Sequence, residues 1–131
     1  MNINITETSY ESIKSPTLKA IAHSRALSTR VYIAKIGNVE AAIMTVDFYS
    51  PPLPLFVYLI FVEETHRRKG IGSKLLDYAE RLAIEQGNPS IVLQPHEVER
   101  SMPKQKLVDW YERRGFAQRV GDPLRLEKIL A

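Results

Sequence analysis

The chain has 131 residues, 44% of them hydrophobic and 25% charged, with a formal charge of +3 and no cysteine. That balance predicts a single folded domain over residues 1–131 and excludes wholesale disorder. Without thiols there is no disulfide scaffold, no cysteine-ligated zinc, no thiol redox chemistry and no cysteine nucleophile.

In chain order, the N-terminal MNINITETSY lacks the basic-then-apolar order of a secretion signal, so a cytoplasmic protein is expected. Within it, residues 2–6 alternate weakly, as a short strand does. Ser15-Pro16 starts a helix, because proline's missing N–H costs nothing in the first turn. Leu18, Ile21, Ala22, Arg25 and Ala26 continue it at helical spacing. Residues 30–36 and 39–49 read as strands, joined into a hairpin by Gly37-Asn38. Pro51 to Pro54 cannot supply ladder donors and marks a connection. With Asp47, these prolines also interrupt the longest nearly uncharged run, residues 41–62, which therefore predicts no transmembrane helix. Residues 56–62, FVYLIFV, are almost wholly apolar and read as a central strand buried on both faces. Residues 72–86 carry Leu75, Leu76, Ala79, Leu82 and Ala83 as one helical stripe, with Gly87 as its cap. Ser90 to Leu93 is a short strand, which makes strand–helix–strand here a parallel unit. A polar loop over 95–104 leads to a helix over 104–114, with Gly115 at its end. A closing hairpin over 116–120 and 124–130 turns at Gly121-Asp122-Pro123. The order β-α-β-β-β-α-β-α-β-β predicts a mixed α/β sheet flanked by helices.

Charge is uneven along this order. Residues 1–66 hold five Lys/Arg and six Asp/Glu, whereas residues 67–131 hold thirteen and nine. A basic second half suits a phosphorylated ligand or a nucleic acid, or simply a solubilising surface.

The most informative stretch is VEETHRRKGIGSKLL, Val62 to Leu76. A buried strand enters a loop with Arg67, Arg68, Lys69, Gly70 and Gly72, which opens straight into the strongest helix. Helix N-termini present unpaired N–H groups and a partial positive charge, so phosphates bind there. Glycines let a ligand approach the backbone and allow positive φ. Taken alone, the same loop is equally a helix start with a solvated basic turn. A Walker A loop is excluded, because Ser73-Lys74 is in the reversed order. The dinucleotide fingerprint is excluded because Leu75 stands where its third glycine belongs.

What fits is Arg67-x-x-Gly70-x-Gly72, which resembles motif A of the GNAT superfamily, the acyl-CoA-dependent N-acyltransferases. In that family the pattern is Gln/Arg-x-x-Gly-x-Gly/Ala between a central strand and a long helix. Val62 stands five residues before Arg67, as the family's strand-end valine does. Trp110-Tyr111-Glu112-Arg113-Arg114-Gly115-Phe116 resembles the family's Leu-Tyr-x-x-x-Gly-Phe, with tryptophan for leucine. The resemblance covers about residues 56–116, and the element order agrees from about residue 30 onward. It implies the acyl-CoA N-acyltransferase fold, a mostly antiparallel mixed sheet splayed at a central parallel strand pair.

The resemblance also implies residue roles. Arg68, Lys69, Gly70, Ile71, Gly72 and Ser73 would hold the pyrophosphate of acetyl-CoA on backbone N–H groups, with Arg67 shaping the loop. The backbones of Ile60, Phe61 and Val62 would lie beside the pantetheine and thioester, where N–H donors polarise a carbonyl. Tyr111 would protonate the departing thiolate. Two positions depart from the family pattern. Lys104 stands where many members have an asparagine, and Phe56 stands where some have a glutamate base. A base would then come from Glu63, Glu64, Glu97 or Glu99 through water, or the amine arrives neutral. The long, mixed-charge loop over 95–103 is expected to contact the acceptor. His23, His66 and His96 lack metal-ligand spacing, so no metal is assigned. The expected activity is acetyl transfer from acetyl-CoA to a small-molecule or peptide amine, with a homodimer left open. Competing classes are an acyl-CoA sensor without turnover and a nucleic-acid module using Arg67-Arg68-Lys69 and Arg113-Arg114. The latter lacks evident stacking aromatics.

Overall fold

Seven strands form one sheet in the order β1-β2-β3-β4-β5-β7-β6, and only β4 and β5 run parallel. The computed structural model describes residues 2–23, 29–95 and 103–130. Its elements are β1 (Ile3–Thr8), α1 (Pro16–Ala22), β2 (Thr29–Ile36), β3 (Val39–Asp47), β4 (Leu55–Val62), α2 (Ile71–Gln86), β5 (Ser90–Leu93), α3 (Lys104–Glu112), β6 (Ala117–Arg119) and β7 (Asp122–Ile129). Single 3₁₀ turns at Tyr10–Ser12 and Glu64–His66 were not foreseen in the sequence.

Period-two alternation divides the strands between two cores. On one face, Ala34, Met44, Val46, Leu55, Val57, Ile91 and Leu93 pack beneath α2 and α3. The α2 contribution is Ile71, Leu75, Ala79 and Ala83, each four residues after the last and all essentially buried. On the other face, Leu18 and Ala22 of α1 cover Val31, Ile33, Ile43 and Phe61. Gly87 ends α2 in the left-handed region with φ of 85°. The N–H of Asn88 then donates to Ala83 O at 2.9 Å, closing the helix end as a Schellman-type cap. The Asn88 side chain donates to Tyr49 O and Leu53 O, which fastens the proline-rich connection to that end. No described helix is long and apolar enough to cross a membrane.

Several boundaries differ from the sequence reading, each for a local reason. Described helix α1 stops at Ala22, and Arg25 and Ala26 lie outside the described residues. Strand β3 ends at Asp47 rather than residue 49, a few residues ahead of the prolines that begin at Pro51. The closing hairpin turns at Val120-Gly121, with Arg119 paired to Asp122 and Gly121 at φ of 75°. Pro123 is thus inside β7, tolerated because β5 pairs with β7 only from Leu126 onward.

The most consequential difference is in β4. Of residues 56–62, only Val57 and Phe61 are buried, whereas Tyr58 is exposed. Pairing with β5 covers Leu55, Phe56 and Val57 alone. Beyond Val57 and Leu93 the parallel strands part, so among the described residues no strand pairs with the rest of β4 on that side. A bulge accompanies the split: Thr45 pairs with Leu59 and Val46 with Val57, leaving Tyr58 as the extra residue.

Candidate functional site

The parting of β4 from β5 opens a cleft of about 540 Å³. One wall is β4 from Val57 to Val62, where its pairing with β5 ends, and the floor beyond it is the loop into α2. The facing wall comes from Leu107, Trp110, Tyr111 and Arg114 of α3 and its C-terminal end. The predicted residues Ile60, Phe61, Val62, Arg67, Arg68, Gly70, Ile71, Gly72, Ser73 and Tyr111 all line this one cleft. Lys69 does not line it; its Nζ lies 3.5 Å from His66 Nδ1 on the exposed side of the loop.

The loop is built to present backbone donors. Arg68 and Gly70 are both left-handed, with φ of 64° and 78°. Such turns gather N–H groups into a concave nest that suits an anion. Gly70 is the N-cap of α2 and brings no side-chain hydrogen bond to it. The first-turn N–H groups of this sixteen-residue helix therefore lack the side-chain acceptor that Ser15 supplies to Leu18 in α1. Arg67 folds back, its Nε donating to Val62 O at 3.0 Å and its guanidinium lying 5.6 Å from the Phe61 ring centre. This ties the loop to the end of β4.

The two glycines differ in what they face. A Cβ on Gly70 would meet nothing within 4 Å, whereas one on Gly72 would lie 3.3 Å from two atoms of the Trp110 ring. Gly72 thus lets the indole rest on the first turn of α2, a packing role the motif spacing does not reveal.

Tyr111 is 5% exposed, wedged between Trp110 and Phe116 with ring centres 5.0 and 5.7 Å away in edge-on contacts. Burial raises its phenol pKa well above the ordinary value, so the hydroxyl holds its proton across the neutral range. Arg114, which the sequence reading named only as part of a nucleic-acid alternative, lines the cleft. Its Nε and Nη2 donate to Ser73 Oγ at 3.0 and 2.6 Å, and its guanidinium stacks 3.9 Å from the Trp110 ring centre. A cation beside the positive end of a helix is electrostatically uncomfortable without an anion. The signal for it was its place three residues after Tyr111 in the second motif.

A family model described as an acetyltransferase (GNAT) domain matches residues 28–118. The chain belongs to that family. Among solved structures, a GNAT family acetyltransferase from Elizabethkingia anophelis with acetyl-CoA bound is similar at 16% identity. The match covers 98% of this chain and 99% of that one, with a TM-score of 0.77. The PaiA N-acetyltransferase from Thermoplasma acidophilum in complex with coenzyme A is similar at 15% identity. Here 99% and 100% of the two chains are covered, with a TM-score of 0.70. A GNAT family acetyltransferase from Staphylococcus aureus Mu50 matches at 19% identity over 99% and 100%, with a TM-score of 0.69. The search of curated proteins found no match. The structural likenesses establish the fold, that of the acyl-CoA N-acyltransferases.

The residues at which this GNAT chain departs from its family lie as follows. Lys104 is exposed at the start of α3 and does not line the cleft. Phe56 is half-buried, its ring 6.3 Å from that of Tyr58 and 5.6 Å from the Arg125 guanidinium. Among the candidate bases, Glu63 accepts a hydrogen bond from the Ser15 hydroxyl and faces a separate polar hollow with Lys14, Lys35 and Glu40. Glu64 is exposed in a 3₁₀ turn and also does not line the cleft. His96, Glu97, Glu99 and most of the expected acceptor loop lie outside the described residues. Among the described residues, no group of His, Asp and Glu could hold a metal ion.

Proposed function

We propose that this chain is an N-acetyltransferase, one domain over residues 1–131, that moves an acetyl group from acetyl-CoA to a primary amine by direct attack in a ternary complex. The observation that carries the reading is the continuity of the cleft. It runs from the uncapped N-terminus of α2, past the stretch of β4 beyond its pairing with β5, to the buried hydroxyl-bearing face of Tyr111. The fit to the donor is chemical: a nest of N–H groups for a pyrophosphate, free strand edge for an amide-bearing arm, and an apolar wall for the thioester.

Each segment then has a task. Residues 68–73 offer backbone donors to the pyrophosphate, and Arg67 keeps that loop in register with Val62. Arg114 exchanges part of its bond to Ser73 for a phosphate oxygen, a charge-assisted contact. The backbone of Ile60 to Val62, on the side of β4 away from β3, pairs with the pantetheine and polarises the acyl carbonyl. Tyr111 gives its proton to the sulfur as the C–S bond breaks. The phenol is protonated across the neutral range, as a donor to the departing thiolate must be. The basic loop offers little to a nucleic acid, since Arg67 folds onto β4 and Arg114 onto Trp110.

The test has two readings on one sample. Acetyl-CoA at about 100 times its dissociation constant stabilises the fold by about 2.7 kcal/mol, read as a thermal shift. Thiol release across a panel of primary amines then separates a transferase from an acyl-CoA sensor. No thermal shift with acetyl-CoA refutes the donor site; a shift without thiol release leaves the sensor.

A further inference from the structure

Glu63 follows the last residue of β4 and opens the turn that leads to the glycine loop. It lines the polar hollow beside α1 and not the cleft. Its N–H, its carbonyl and its carboxylate are all engaged. The N–H donates to Ala41 O at 2.9 Å, carrying the β3–β4 ladder one residue past the strand. The carbonyl accepts from the N–H of His66 at 2.8 Å and so closes the 3₁₀ turn Glu64–His66. The carboxylate accepts from the Ser15 hydroxyl. The next turn bond, from Arg67 N–H to Glu64 O, is longer at 3.3 Å, and the left-handed residues Arg68 and Gly70 come directly after it. A 3₁₀ turn has poor hydrogen-bond geometry of its own. The place of this one therefore depends on how its first residue is held.

The hold on Glu63 is a closed ring. Ser15 is the N-cap of α1: its Oγ accepts from Leu18 N–H at 3.3 Å, while its own proton goes to Glu63. The backbone N–H groups of Lys14 and Ser15 donate to the Glu40 carboxylate. Glu40 adjoins Ala41, whose carbonyl receives the N–H of Glu63. One circuit of hydrogen bonds thus joins the start of α1, the start of β3 and the end of β4, and Ser15, Glu40 and Glu63 are each half-buried. Such a network fixes geometry more firmly than separate bonds, because each member holds the next. It also turns the Glu63 charge into the hollow rather than the cleft.

We propose that Glu63, clamped by Ser15, is a positioning residue for the donor: it sets the turn that presents the 68–70 nest to the pyrophosphate. This rests on the donor site of the acetyl-transfer reading. Glu63 touches no reacting atom and moves no proton in this role. Coupling between two sites is reciprocal, so a bound pyrophosphate in turn firms the start of α1.

In Glu63→Ala the charge and the clamp are lost together, and the two losses act in opposite directions. Deleting a negative charge near a site for an anion by itself tightens acetyl-CoA binding, whereas losing the clamp weakens it. Acetyl-CoA affinity falls about 10-fold in Glu63→Ala, and Glu63→Gln, which keeps an acceptor for Ser15, recovers most of it. S-acetylpantetheine has the same thioester and no pyrophosphate. The ratio of kcat/KM for acetyl-CoA over S-acetylpantetheine therefore also falls about 10-fold in Glu63→Ala. Ser15→Asp keeps the cap of α1 and removes the donor to Glu63, and it lowers the same ratio. In the free protein, hydrogen exchange at the His66 and Arg67 amides quickens about 10-fold in Glu63→Ala and not in Glu63→Gln. Equal losses with both thioesters make Glu63 a merely structural residue and overturn the proposal, as does tighter acetyl-CoA binding in Glu63→Ala. If the unsubstituted chain binds no acetyl-CoA, the donor reading fails, and the exchange rates alone decide whether Glu63 sets the turn. Unchanged rates at His66 and Arg67 overturn it.

Discussion

Replacing Tyr111 by Phe isolates one hydroxyl in an otherwise unchanged setting. The ring is 5% exposed, and its contacts with Trp110 and Phe116 are made by carbon atoms, so the variant folds. A positioned proton donor contributes about 10²- to 10⁴-fold, so single-turnover acetylation falls by at least ~10², with little change in acetyl-CoA affinity. The loss sits in the transition state, where the thiolate forms. Burial also fixes a sign for stability. Tyr111 titrates ordinarily at 10.0 and is raised in the folded chain. Below the ordinary value both states hold the proton and the stability is intact. Above it only the unfolded chain releases the proton, so stability falls by about 1.4 kcal/mol per pH unit until the folded group titrates. Tyr32 is raised as well, chiefly by desolvation, so the slope alone does not identify Tyr111. The difference between the two proteins does: if Tyr111 supplies the slope, the urea midpoint of the unsubstituted chain falls relative to that of Tyr111→Phe between about pH 9 and about pH 11. Wild-type single-turnover rates in Tyr111→Phe refute the acid role and make the residue a core aromatic. Parallel midpoints refute the buried phenol.

Arg114→Gln removes a cation from the cleft mouth but leaves a donor for Ser73; acetyl-CoA affinity falls about 10- to 100-fold, as a charge-assisted bond of 1.5–3 kcal/mol implies, and its salt dependence weakens. Calorimetric titration at two ionic strengths measures both. Gly72→Ala places a methyl 3.3 Å from the Trp110 ring, and Trp110→Leu relieves it. A double-mutant cycle on urea stability gives a coupling of about 0.5–3 kcal/mol, and additive effects refute the contact.

The fold was legible where chemistry repeats along the chain. The stripe Leu75, Leu76, Ala79, Leu82, Ala83 and the closing Gly87 mark α2 without help from elsewhere, and the two mostly apolar runs on either side of Gly37-Asn38 mark β2 and β3. What the sequence misjudged depended on partners distant in the chain. The apolar run of β4 reads as buried on both faces because hydrophobicity does not distinguish a strand covered by protein from one left open to a ligand. Only the loss of pairing beyond Val57 and Leu93 reveals which it is. Arg114 is visible only after α3 folds over α2.

The motif residues show the opposite limit, since spacing located them but did not say what each one does. The family pattern admits glycine or alanine at position 72 and has leucine at position 110, and this chain pairs glycine with tryptophan. The 3.3 Å approach supplies a physical reason for that combination. An indole is much larger than a leucine side chain, and in a close-packed contact the added volume must come out of the facing residue. Gly72 is the residue with nothing left to remove. The same indole carries the Arg114 guanidinium 3.9 Å from its ring centre, and Arg114 reaches Ser73, one residue beyond Gly72. Tryptophan at 110 therefore does two things that leucine cannot: it fills the notch at Gly72 and offers a π face that holds a cation over the start of α2. The departure from the family leucine and the cation that the sequence reading had set aside for a nucleic acid are one arrangement.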